Sequence, residues 1–439
     1  MFDLPKYGVG IGLARTAALL DALAIDRARL QRCAVVITGS NGKGSTAAFC
    51  ASIGRAAGLR TGLFTSPHLF SYNERFRING AVIDDDALAR HEAHVETTIR
   101  HLAQDGSHAS FGAFEALFAL ACLIFQEAGC DFMVFEAGIG GRYDVCRLIG
   151  ADVTAVTSVD LEHVDLLGNS LELIASDKSD ACAAGGTVVY GENCRPLRAH
   201  LAEYNRSRDV TGIFVRDEIA ISHATTLTTT QRFDLNYNGS DFTALETTLL
   251  GGFQINNAAI AAMVYLHWRQ RSAPNDPASA IAAAIRTGLR DTTWQGRLEQ
   301  IQEAPLTIVD VGHTPDGVNQ AQESLRAIHG SDDWILVTGV SADKNLDEIA
   351  AYLGPGFNTV ICTGAHHKGA DAEKVAAAVR RVSPAAEVHV AAGIEQAVQL
   401  SQSLAHARQQ RVYVAGGLFV AIEYTATLRG DCAGDLRFF

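Results

Sequence analysis

The chain has 439 residues, 48% of them hydrophobic and 19% charged, a composition that points to an ordinary globular protein of two or three domains. The formal net charge of −13 argues against nucleic acid or an anionic membrane surface as partner. Nine cysteines without a CxxC pair fit a reducing, cytoplasmic setting better than a disulfide framework or a structural zinc.

The N-terminal stretch "MFDLPKYGVGIGLAR" lacks a basic segment followed by an apolar one, and no uncharged apolar run is long enough to span a bilayer, so neither signal peptide nor membrane span is expected. "AVVIT" (34–38) is a short β-branched run that reads as a buried strand. "GSNGKGST" (39–46) follows it, and "STAAFCASIGRAAG" (45–58) is rich in helix formers up to the stop at Gly58. "RTGLFTS" (60–66) is a second strand, so the order strand, loop, helix, strand implies a right-handed βαβ unit and a parallel sheet. A helical segment at 111–129 precedes strands at 132–138, 152–160 and 186–192. Residues 210–250 turn Thr-rich and alternating around an Asn-Gly pair, which predicts a small antiparallel sheet. Helices are expected over 251–268 and 278–289, and "RDTTWQGR" (290–297) is the candidate boundary. Beyond it, "LTIVDVG", "WILVTGV", "TVICTGA", "EVHVAA" and "RVYVAGG" alternate with helical stretches, the pattern of a second α/β unit. The fold class expected is therefore α/β. A P-loop NTPase-like, mainly parallel domain with a small antiparallel subdomain (1–292) is followed by a smaller Rossmann-like α/β domain (293–439).

The glycine loop carries the chemistry. Backbone N–H groups at a helix N-terminus attract phosphate, and glycines let the anion approach. A lysine beside them neutralises β- and γ-phosphates, and a hydroxyl reaches magnesium. In this loop Gly39, Asn41, Gly42, Lys43, Gly44, Ser45 and Thr46 are the nucleotide-binding candidates, with Ser45 or Thr46 as the hydroxyl. Glu136, at the end of an apolar strand, is placed where an acidic oxygen meets nucleotide-bound metal.

Two residues, rather than four, separate Gly39 from Gly42, and a glycine follows the lysine. That form resembles the Mur ligase superfamily and, within it, dihydrofolate synthase and folylpolyglutamate synthase. "TSPHLFSYNERFRING" (65–80), "FEAGIGGRYD" (135–144) and "TSVDLEHVDLLG" (157–168) are similar to three further family segments, with Glu162 where the family usually has Asp. "QINNAA", "WQGRLE", "IVDVGHTPDG" and "VSADKN" fall in family order, so the resemblance covers nearly the whole chain. Only 38 residues precede Gly39, so the two-domain folate-type layout is expected rather than the cell-wall type with a UDP-binding domain.

The resemblance implies an ATP-dependent amide ligase. ATP phosphorylates a carboxylate, and the amino group of an incoming amino acid, expected to be L-glutamate, attacks the acyl phosphate. It implies Ser66, Glu136 and His163 as ligands of two Mg²⁺ ions, with Lys43, His163 and Lys178 in catalysis and Lys178 open to carbamylation. Asn257, Arg297, Asp310 and His313 would reach the nucleotide, and Phe114, Glu115, Arg142 and Asp144 the acid substrate. The role of Lys344 stays open, and His366 and His367 read as loop residues. The partners expected are a small-molecule carboxylate and an amino acid, acted on by a cytoplasmic monomer. Near the pterin pocket the residues depart from the family: "GIGLAR" (10–15) lacks its acids, and "GAFE", "DVCR" and "HTPD" replace its usual elements. The alternative is thus a paralogous ligase for a non-folate acid.

Overall fold

The computed structural model describes residues 4, 5, 8, 10–104, 111–330 and 332–438; part of the N-terminal stretch read above lies outside them. Its largest element is an eight-stranded sheet in the order Ala81–Val82, Phe76–Ile78, Thr61–Phe64, Phe132–Glu136, Ala34–Thr38, Val153–Val156, Thr187–Tyr190, Thr211–Phe214. All neighbours pair in parallel except the first two strands, which fold back antiparallel at the edge. Every residue of Ala34–Thr38 and Phe132–Glu136 is buried, as expected when helices cover both faces of a parallel sheet. Helix Lys43–Ala56 packs on one face with the helices Gly252–Ser272 and Ala278–Arg290. Helix Ala113–Glu127 belongs to the apolar cluster on the other face and buries eleven residues in a row, Glu115 to Phe125.

The Asn-Gly turn appears as expected. Asn238 and Gly239 both have positive φ, and Tyr237 pairs with Ser240 in a three-stranded antiparallel sheet, Ile219–Thr226, Gln231–Tyr237 and Ser240–Thr247. The antiparallel region begins later than the sequence suggested. Thr211–Phe214, read as part of it, is instead a parallel edge strand of the large sheet beside Thr187–Tyr190. Helix Arg198–Arg206 supplies the crossover that brings it there.

A second, six-stranded sheet runs Glu299–Glu303, Leu306–Val309, Arg411–Ala415, Trp334–Thr338, Thr359–Cys362, Glu387–Val390. It is parallel apart from Glu299–Glu303, which turns back on Leu306–Val309. Separate apolar clusters cover its two faces. Among the described residues no helix is long and apolar enough to cross a membrane.

Candidate active site

The central strand Ala34–Thr38 has its neighbours on opposite sides, Phe132–Glu136 and Val153–Val156, so the chain leaves the sheet in both directions at its C-terminal end. Ligands of open α/β sheets bind at such a switch point. The glycine loop lies there. Gly39 has φ +142°, and a Cβ on it would fall 1.9 Å from Thr157 Oγ1. Gly42 is left-handed, and its Cβ would sit 2.5 Å from Asn257 Oδ1, so the loop tolerates side chains at neither position. Helix Lys43–Ala56 starts directly after it, with the backbone N–H groups of its first turn directed at the loop.

Above the loop opens a cavity of about 1260 Å³ between the two sheets. Of the residues singled out in the loop, Asn41, Gly42, Lys43, Gly44 and Ser45 line it. Lys43 Nζ donates to the carbonyls of Gly39 at 2.7 Å and Ser40 at 3.2 Å. Ser45 Oγ accepts from Gln254 Nε2 at 3.2 Å, whereas the Thr46 hydroxyl is buried with no hydrogen-bond partner and does not face the cavity. Of the two candidate hydroxyls, Ser45 is the one in reach. Gly39 shapes the loop from beneath.

Glu136 is buried at the strand end and lines the same space as Ser66, whose backbone N–H it accepts at 3.1 Å. Burial raises its carboxyl above the ordinary range against the opposing pull of Lys43, Arg297 and Arg75. His163 also lines the cavity; it is left-handed (φ +45°) at the start of the short helix Val164–Leu167, and burial lowers its pKa. Lys178 lies behind it. The side chain is 1% exposed, and Nζ reaches Glu162 Oε1 at 2.8 Å. Burial lowers the lysine's pKa, while the Lys178 and Lys43 charges outweigh burial at Glu162 and hold its carboxyl down to about 2.

Asn257, on helix Gly252–Ser272 beside the loop, and Arg297, Asp310 and His313 from the second unit are all at the cavity wall. Asp310 is buried and holds the segment around Arg297, accepting from the N–H of Leu298 at 3.1 Å and of Gly312 at 2.7 Å. Burial raises its carboxyl, with Arg297 opposing. His313 is pushed down to about 4 by burial and the Lys344 charge. Asn257 donates to Gln254 at 3.0 Å. Asn41 joins the two sides directly: its Nδ2 donates to Asp160 at 2.8 Å and its Oδ1 accepts from Thr314 at 2.9 Å.

The acid-substrate candidates divide. Phe114, Glu115 and Asp144 line the far end of the cavity. Glu115 is engaged there by a buried, two-pronged ion pair with Arg15, both contacts at 2.6 Å. Asp144 accepts three backbone N–H groups, of Gly138, Ile139 and Cys146, and so fixes the loop that it ends. Arg142 does not line the cavity; its guanidinium turns to Asp180 at 2.6 Å and to Tyr204 at 2.9 Å. Sequence reasoning passed over Glu74 and Arg75, although both stand in the quoted segment 65–80. It also passed over Trp294 and Phe419. All four line the cavity, but a lone arginine or aromatic carries no spacing signal.

Among the described residues, no group of three or more His, Cys, Asp or Glu side chains is arranged to hold a metal by itself. Glu136 and Ser66 nevertheless suit magnesium, a hard cation that takes one or two protein oxygens and completes its shell with water and phosphate.

Comparison with known proteins agrees with this layout. Residues 37–265 match the Mur ligase middle domain and residues 296–418 the Mur ligase glutamate ligase domain. The chain is 34% identical over 429 residues to a probable bifunctional folylpolyglutamate synthase/dihydropteroate synthase of Halobacterium salinarum, covering 96% of this chain and 50% of that protein. It thus spans about half the length of that relative. It is 30% identical over 438 residues to the dihydrofolate synthase/folylpolyglutamate synthase of Mycobacterium tuberculosis, covering 94% of this chain and 87% of the relative. A solved folylpolyglutamate synthase–AMPPCP–folate complex superposes with a TM-score of 0.84 at 28% identity, covering 97% of each chain. With the glycine loop, the buried strand-end glutamate and both domain models in register, the chain belongs to the Mur ligase family, in its folylpolyglutamate synthase/dihydrofolate synthase line.

Proposed function

We propose that this chain is an ATP-dependent ligase that joins L-glutamate to a folate-type carboxylate and releases ADP and phosphate. One observation carries the reading: Lys43, Ser66, Glu136 and His163 from the first sheet and Arg297 and His313 from the second border one cavity. The relatives supply the substrate class, since AMPPCP and folate are bound together in the solved complex that superposes on this chain. They favour a folate over an unrelated acid.

The chemistry is management of negative charge. A carboxylate oxygen attacks the γ-phosphorus, ADP leaves, the amine then attacks the acyl carbon, and phosphate departs with the C–O electron pair. Lys43 and the N–H groups of helix Lys43–Ala56 take the β- and γ-phosphates. Arg297 and His313 approach the nucleotide from the second unit, and Asp310 and Asn257 orient the segments around it. Glu136 and Ser66 would hold magnesium, and His163 a second ion; bound there, magnesium neutralises the phosphoryl oxygens. Phe114 offers an aromatic face to the acid substrate. Lys344 and Lys368 line the second sheet's side of the cavity and give an acidic amino acid its counter-charge.

Lys178 is the candidate for carbamylation. Burial favours its neutral amine, the form that adds CO₂. A carbamate beside Glu162 would set two anions together, so a cation held nearby by His163 would be needed to offset their repulsion. The same reading divides the chain into units 1–292 and 293–439 working as a cytoplasmic monomer.

The test is glutamate-dependent ADP release with dihydropteroate and with tetrahydrofolate, alongside intact-protein mass measurement for a CO₂ adduct lost in Lys178→Arg. Turnover with either acid supports the assignment. No glutamate-dependent ADP from any folate overturns it, and an unmodified mass in the presence of bicarbonate and magnesium removes the carbamate.

A further inference from the structure

The loop that carries Ser66 is held from the far end of the chain. Arg75 is 2% exposed, and each of its three guanidinium nitrogens donates a hydrogen bond. Nη1 donates to Ser66 Oγ at 2.7 Å, Nε to His68 Nδ1 at 2.9 Å, and Nη2 to the Phe438 carbonyl at 3.2 Å. His68 Nδ1 accepts, so its proton sits on Nε2, which meets the Arg437 carbonyl at 2.5 Å. One tautomer therefore satisfies the network, and burial beside Arg75 keeps the ring neutral.

Packing follows the same path. The Phe438 ring stacks on His68 (centroids 6.2 Å apart, 11° between planes) and sits 4.8 Å from Phe419 and 5.0 Å from His367, both of the second unit. Leu69 and Phe70, from the Ser66 loop, pack into the apolar cluster of the second sheet, and Arg429 lies over the Phe70 ring at 5.1 Å. Glu74 ties down the N–H groups of Leu69, Phe70 and Ser71. A lysine at 75 could not replace the fork, since one ammonium nitrogen cannot stand where three separate guanidinium nitrogens donate.

We propose that Leu436–Phe438 acts as a clasp that fixes Arg75, and that Arg75 is a positioning residue which presents Ser66 Oγ to the magnesium–nucleotide while the second unit is docked. This rests on the ligase reading above only for the identity of the ion and nucleotide. The backbone of residues 437 and 438 supplies the acceptors and the Phe438 ring holds that backbone in place. Arg75 itself touches no substrate; it acts through the serine.

The experiment compares the whole protein with Phe438→Ala, with Phe438→Tyr and with a chain ending at residue 435. Hydrogen exchange of residues 65–75 is read without nucleotide, and AMPPCP affinity is read by calorimetry with magnesium and with EDTA. In Phe438→Ala and the shortened chain, exchange of this segment rises, and the gain in affinity that magnesium confers falls about fivefold, one hydrogen bond's worth. Affinity in EDTA stays at the wild-type level, and Phe438→Tyr behaves as wild type. Should Phe438→Ala not fold, Phe438→Leu carries the same comparison. Unchanged exchange, or faster exchange with an intact magnesium increment, overturns the clasp. Neither readout needs turnover, so a wild-type protein inactive on folates would defeat the ligase reading and leave this one standing or falling by itself.

Discussion

Lys43 shows how much depends on a single side chain. Its ammonium is held by two loop carbonyls, in place at the head of the helix. Lys43→Ala removes that charge from a position that is half-buried rather than core, so folding should survive while phosphoryl transfer does not. We expect glutamate-dependent ADP release to drop by at least about a hundredfold, the scale for losing one preorganised electrostatic contact, with the melting temperature near wild type. A variant that keeps normal turnover would remove the loop from the mechanism. At this scale the sequence was legible where chemistry needs a spacing: Gly39, Gly42, Lys43 and Glu136 stand where a strand-loop-helix reading puts them. It was mute where a residue acts through what it touches. Arg142 was expected beside a substrate and instead pairs with Asp180 and Tyr204, contacts with residues 38 and 62 positions away.

Helix Ala113–Glu127 is the element on which the far end of the cavity depends. Its first turn carries Phe114 and Glu115 to the wall, and the residues from there to Phe125 are buried. Phe118 is 0% exposed and packs against Phe135 with ring centroids 5.7 Å apart, directly before Glu136 in the chain. Phe118→Ala should cost about 3–5 kcal/mol, the usual price of emptying a buried aromatic site. A urea denaturation series measures it; a loss below about 1 kcal/mol would mean that the helix is less tightly packed than the structure has it. The element was readable because an apolar run of that length has few alternatives. Short strands were harder. Thr211–Phe214 looked like part of the antiparallel region because four residues carry no sign of which sheet they will join, and Glu299–Glu303, "EQIQE", is too polar to announce a strand at all.

The molecule as a whole carries a pH signature. His68, His267 and His313 are each pushed down to about 4, in every case chiefly by burial. Arg75 adds to the effect at His68 and Glu74 opposes it; Arg271 acts at His267, and Lys344, Arg297 and Lys43 at His313. Each folded-state value lies below the ordinary 6.5, so the unfolded chain takes up protons that the fold refuses. Their contribution to stability is complete above pH 6.5, declines as pH falls, and is lost by about 4. Buried carboxyls such as Asp160, raised to about 6, act in the opposite sense, so the test is the difference: between pH 6.5 and 4 the urea midpoint of His267→Phe should drop less than that of the parent, because one of the three rings is gone. The same pH dependence in His267→Phe and the parent would contradict the burial of that ring.

Local pattern alone determined the two α/β units, the hairpin at Asn238–Gly239, and the glycine loop with its lysine, because φ preference, hydrophobic period and helix-end chemistry act over a few residues. Which side chains share a cavity was decided by tertiary structure. Asn41 meets Thr314, and Arg75 meets the Phe438 carbonyl, across separations of 273 and 363 residues. No local preference encodes such pairs; they exist because docking the two α/β units brings their loops within hydrogen-bond distance, where burial favours paired polar groups.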